Sequence, residues 1–165
     1  MTPPAGQGPI LVLGIGNLVM SDDGVGVRVV QNLAERYRFP ERVELLDGGT
    51  LGLDLLPRLE GVTYLMVIDA VETGGPPGTL VRLTGGDIPV ALETKVSPHQ
   101  MGLKDLLSVA CLQGFAPDEM VLLGVQPAII EMGLELSGEV AGQVPELERQ
   151  VVSQLDAWGA DAVTR

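Results

Sequence analysis

Four acids and one imidazole occupy positions in this chain from which they could act together. Asp22 and Asp23 follow a glycine-closed apolar run, Ile10–Gly16, and Asp47 closes a second run, Val43–Leu46. Asp69 lies inside a third, Tyr64–Val71 (YLMVIDAV), and His99, the only histidine, opens a helical pattern. Carboxylates combined with an imidazole offer mixed oxygen and nitrogen donors and leave positions open on a divalent ion. Such a set suits nickel, zinc or manganese, and donor softness alone does not choose among them. Each residue also has a plainer reading. Asp22 and Asp23 satisfy the preference for acids in the first turn of a helix. Asp47, before Gly48-Gly49, suits an Asx turn, and His99 suits a helix start. Asp69 is the hardest to treat as ordinary, because a carboxylate buried among aliphatic neighbours needs a cation or strong donors. The dipole at a helix start also disfavours imidazolium, which leaves His99 in the neutral, metal-binding form.

The elements that must carry these residues alternate along the chain. The three apolar runs are short and aliphatic, as strands buried on both faces are. After the first, Val25, Val29, Val30, Leu33 and Tyr37 recur at helical spacing, with Ser21 as the expected N-cap. A short amphipathic helix over Leu51–Leu59, capped by Thr50, follows the second run. The turn-rich stretch 73–78 leads into a strand at Thr79–Leu83, and its tight connection suggests an antiparallel course. Ser97-Pro98-His99-Gln100 is a capping box with proline at the first helical position, followed by Leu103, Leu106, Leu107 and Ala110 on one face. Met120–Val125 reads as a further strand. Ser137–Trp158 reads as an amphipathic tail that Pro145 kinks or splits. The order β-α-β-α-β-β-α-β-α defines a three-layer α/β/α sandwich on a mostly parallel five-stranded sheet, one strand antiparallel. Ligands in such sheets sit beyond the carboxyl ends of the strands. That places Asp23, Asp47, Asp69 and His99 along one edge.

Composition narrows the function by exclusion. The chain has 165 residues and a net charge of −12, from 22 acids against 10 bases. Nucleic acid and anionic membranes need clustered Lys and Arg, so neither is expected as a partner. The single cysteine excludes an intrachain disulfide and a Cys-rich metal site, and fits a reducing, cytoplasmic setting. Cys111 is expected to pack in the core. Residues 1–9 read as a flexible tail without signal-peptide character, and residues 10–160 as one domain. Gly14-Ile15-Gly16 begins like a dinucleotide fingerprint, but Val19 fills the third glycine position and the following acids would repel a pyrophosphate, so no nucleotide cofactor is expected.

Taken in order, Gly14-Ile15-Gly16-Asn17, Asp22-Asp23-Gly24-Val25-Gly26, Asp47-Gly48-Gly49-Thr50, Ile68-Asp69-Ala70 and Ser97-Pro98-His99-Gln100 resemble the NiFe-hydrogenase maturation endopeptidases. The resemblance runs from Ile10 to Trp158. Each motif is short; five in order at matching separations make the signal. It implies an endopeptidase that removes the C-terminal extension of a hydrogenase large-subunit precursor after nickel insertion. Asp23, Asp69 and His99 would be the metal contacts, the first being Glu in part of the family. It further implies that the nickel arrives on the precursor and serves as the recognition signal, so the enzyme need not own a metal. Asp69 is then expected to act in catalysis, with Asp47 orienting the site or serving as base. Two alternatives stay open at this point. One is a nickel-binding escort without peptidase activity; the other is a peptidase of similar fold with a different protein substrate.

Overall fold

The first strand, Ile10–Ile15 (β1), is buried along its whole length, and this follows from its place in the sheet. The computed structural model describes residues 7–50, 52–88 and 98–165, with 98–102 described by backbone alone. Around β1 the main sheet contains Val43–Gly49 (β3), Tyr64–Ala70 (β4), Leu80–Thr84 (β5) and Glu119–Val125 (β6), in the order β3-β1-β4-β6-β5. The first four are mutually parallel and β5 pairs antiparallel with β6. The antiparallel strand is therefore the expected one. It does not sit beside β4, which precedes it in the chain; the turn over residues 71–79 carries it across the end of β6 to the sheet's edge.

Alternation along the strands divides the core in two. Val12, Met66, Ile68 and Leu123 meet helix Val25–Arg36 (α1) and helix Val144–Ala157 (α5) through Val29, Leu33, Leu147 and Val151. Leu13, Leu65, Val67 and Leu122 meet the short helix Leu56–Leu59 (α2) and helix Pro98–Leu112 (α3) through Leu59, Leu103 and Leu106. Pro145 lies in the first turn of α5 and separates it from a one-turn helix, Gly138–Ala141 (α4), as the proline's missing N–H requires.

Several local expectations are corrected. Ser21 does not cap α1. A 3-10 turn, Ser21–Gly24, intervenes, and the cap position falls to Gly24. Ser21 takes a left-handed backbone, φ 54°, and its hydroxyl donates instead to the Glu131 carbonyl at 2.8 Å. Tyr37 leaves α1 in an extended conformation and pairs, as Tyr37–Arg38 (β2), with Val163–Thr164 (β7) in a two-stranded ribbon. The segment before α2 is a 3-10 turn, Gly52–Leu55, with Pro57 restricting the helix to four residues. Cys111 is exposed: it is rotated about 100° past Ala110, beyond the buried face of α3. Leu51 and Ser97 lie outside the described residues. Within the stretch read as a tail, the Pro9 carbonyl accepts from the amides of Thr63 and Tyr64, so the chain is already anchored there. Among the described residues no helix is long and apolar enough to cross a membrane.

Candidate active site at the carboxyl edge of the sheet

The chain moves from β1 to one neighbour, β3, and then crosses to the other, β4. The gap between the carboxyl ends of β1 and β4 is therefore a topological switch point, where open α/β sheets bind ligands. Three glycines bring helix α1 down onto it. A Cβ on Gly26 would collide with the carbonyl of Ile68, one on Gly14 with that of Gly26, and one on Gly16 with that of Asp23. Gly16 also needs its left-handed φ of 132° to turn the chain out of the strand.

Asp69 is the sixth residue of β4, and its side chain is 0% exposed. The Ala70 amide donates to its Oδ1 at 2.8 Å. By strand alternation Asp69 shares the face of Leu65 and Val67, the side covered by α3. Asp23, 4% exposed, approaches from the α1 side, and its Oδ2 accepts the Asn17 amide at 3.0 Å. Asn17 then bonds back into the same loop, its Oδ1 accepting the Val19 amide at 3.0 Å. The third direction belongs to α3. Because β6 runs parallel to β4, the helix feeding it must begin at the carboxyl edge, and His99 lies in its first turn. The His99 side chain lies outside the described residues. Among the described residues no three metal-ligating side chains are gathered.

Asp47 stands apart from this group. Asp47 and Ile68 are both paired with Gly14, so Asp47 projects from the α1 face whereas Asp69 projects from the other. It is exposed, and its Oδ1 accepts the Gly49 amide at 3.0 Å, the Asx-turn bond. It borders an open depression of about 250 Å³ shared with Gly16, Asn17, Val27 and Thr50.

Two further residues converge here: Asp22, which the sequence offered beside Asp23, and Gln126, which sequence reasoning did not weigh. Asp22, fully buried, accepts amides from Ala128 and Ile129 and both the amide and the hydroxyl of Ser137. Gln126, at the end of β6, accepts the Thr73 amide at 2.6 Å and donates to Glu72 at 3.0 Å, fastening the loop that leaves β4. A polar residue directly after a buried strand was the available signal for Gln126. For the partners of Asp22 there was none, because they lie more than 100 positions away.

A doubly wound α/β/α domain with buried carboxylates at its switch point defines the class, and sequence kinship gives the family. The model of the hydrogenase maturation protease family matches residues 27–154, and the chain belongs to that family, a family of peptide-bond hydrolases. The hydrogenase expression/formation protein HupD of Rhodobacter capsulatus is 46% identical over 154 residues, 92% of this chain and 73% of that one. The hydrogenase 2 maturation protease of Escherichia coli is 38% identical over 157 residues, covering 94% of this chain and 96% of the relative. Among solved structures, the hydrogenase maturating endopeptidase HybD from E. coli superposes with a TM-score of 0.92 at 38% identity, over 95% of this chain and 98% of that one.

Proposed function

We propose that this maturation protease removes the C-terminal extension of a NiFe-hydrogenase large-subunit precursor, and that it reads the nickel already held by that precursor. Asp23, Asp69 and His99 complete the coordination of the substrate's nickel. This contact registers the scissile bond against the carboxyl edge of the sheet and polarises its carbonyl or an attacking water. The metal belongs to the substrate, and no nucleotide takes part. The observation that carries the reading is Asp69: a carboxylate fully withdrawn from water at a strand end, beside the turn that presents Asp23. A carboxylate held at this strand end is an oxygen donor of the kind that hard and borderline divalent cations bind. Asp47, near the same edge but on the opposite face, either orients the site or serves as base. The reaction takes place in the cytoplasm, as the single cysteine suits.

The direct test incubates the chain with purified large-subunit precursor, with and without nickel, and follows precursor mass. Loss of a C-terminal peptide only in the nickel-loaded sample supports the reading. An intact nickel-loaded precursor that binds the chain points instead to a nickel escort without peptidase activity.

A further inference from the structure

Around the turn that carries Asp23, large apolar side chains project into solvent. Met132 is 87% exposed, Leu134 68%, Val19 48% and Ile129 41%. These are four of the seven exposed large hydrophobic residues among the described ones, gathered into two segments.

The two segments form one hydrogen-bonded unit. The Gly133 amide donates to the Val19 carbonyl at 2.9 Å, and the Ser21 amide donates to the Gly133 carbonyl at 2.9 Å. The Asp22 amide donates to the Ile129 carbonyl at 3.0 Å, and the Arg28 guanidinium donates to the carbonyl of Leu134. Bonds of this kind hold the main chain of the loop in place, so little backbone freedom remains to be lost when a partner covers it. Exposed apolar side chains that cluster, rather than scatter singly, mark an interaction surface. The adjoining site narrows the occupant. A peptidase brings its substrate's scissile bond to its own acids, so surface bonded directly to the Asp23 turn lies beneath the substrate in the complex.

We infer that Val19, Ile129, Met132 and Leu134 form a docking surface for the folded body of the protein substrate, receiving an apolar patch beside its scissile segment. This rests on the reading that a hydrogenase precursor approaches the Asp23–Asp69 edge. The surface adds affinity for the folded precursor and does not take part in bond cleavage. Met132, unbranched and polarisable, suits a partner surface of irregular shape.

The test is steady-state cleavage of nickel-loaded precursor by three proteins: the unaltered chain, the double variant Met132→Ser/Leu134→Ser, and Leu112→Ser. Leu112 is 87% exposed at the opposite end of α3, away from this edge. The double variant should raise KM by about tenfold or more, as loss of anchoring contacts does, with kcat within about twofold. Leu112→Ser should leave both constants unchanged, and all three proteins should melt alike. An unchanged KM in the double variant overturns the docking surface and leaves the cleavage reaction standing. So does an equal rise in KM for Leu112→Ser, or an unaltered chain that sediments as a dimer which the double variant dissociates. Absence of cleavage by the unaltered chain removes the proposed function itself, and the docking surface with it.

Discussion

Asp22 and Ser137 meet twice across 115 positions of sequence: the Ser137 amide donates to Oδ1 at 2.7 Å and its hydroxyl to Oδ2 at 2.8 Å. The same hydroxyl accepts the Val140 amide at 3.3 Å, so it also caps the short helix α4. One carboxylate thus joins the turn that presents Asp23 to the loop that follows β6. Asp22→Ala should destabilise the chain by about 2 kcal/mol or more, because it removes four hydrogen bonds and strands the buried amide and hydroxyl of Ser137. Ser137→Ala should cost about 1–2 kcal/mol. Since they share bonds, the double variant should cost less than the sum, which urea unfolding of all three variants will measure. An additive double variant would show that the two residues act independently.

Gly26 provides a test in which two effects have opposite signs. Alanine in a helix is favoured over glycine by about 0.8–1.0 kcal/mol. Here, however, the new methyl would meet the carbonyls of Ile68 and Ile15. Overpacking of this kind costs about 1–3 kcal/mol, and against backbone it cannot be relieved by a rotamer change. Gly26→Ala should therefore lower the denaturation midpoint, whereas a raised midpoint would mean that α1 can lift away from the sheet.

Asp69→Asn keeps the shape of the side chain and removes its charge. Precursor cleavage should fall by at least about 100-fold while the circular dichroism spectrum is retained. Asp23→Asn and His99→Ala should behave in the same way. Full activity in any of the three would remove that residue from the proposed nickel contact.

Asp47→Asn separates two roles, since an amide oxygen can still accept from Gly49 but cannot take a proton. If Asp47 is the base, cleavage should drop about 100-fold or more with the melting temperature nearly unchanged. Undiminished cleavage would assign Asp47 to the turn alone.

On α5, Arg149 donates twice to Glu146, at 2.8 Å and 2.6 Å. These bonds, joined by one from Gln150, hold the Glu146 carboxyl at about 2, against an ordinary value of 4.5. Because the folded-state value is the lower one, the stabilisation is present above the ordinary range and fades as pH falls toward about 2. Arg149→Met should return Glu146 toward 4.5, as seen by carboxyl-carbon NMR titration; an unmoved titration would show that the ion pair does not form in solution.

The parts of the fold that the residues revealed in advance are those in which one physical signal dominates. Strands buried on both faces carry continuous aliphatic runs, so β1, β4 and β6 were legible to within a residue or two. The acids at strand ends were legible because connections in such a fold begin there. Other features depend on partners distant in the chain. Nothing near Asp22 foretells that Ala128, Ile129 and Ser137 will surround its carboxylate, so a helix-start acid was the natural reading. Ser21 looked like a cap because serine before a helix usually is one, but a left-handed residue turned its hydroxyl toward Glu131. Tyr37 fitted the periodicity of α1 and left the helix to pair with Thr164, a residue at the far end of the sequence. Asp47 and Asp69 both stand at strand ends, and only the register with Gly14 shows that they lie on opposite faces.

The close seating of α1 on the sheet, glycine against carbonyl, has a mechanical consequence. The turn bearing Asp23 and the strand bearing Asp69 cannot swing relative to one another, so this half of the site is a fixed anvil. Whatever rearrangement brings the scissile bond into reach must come from the substrate's own tail, or from the α3 side of the edge.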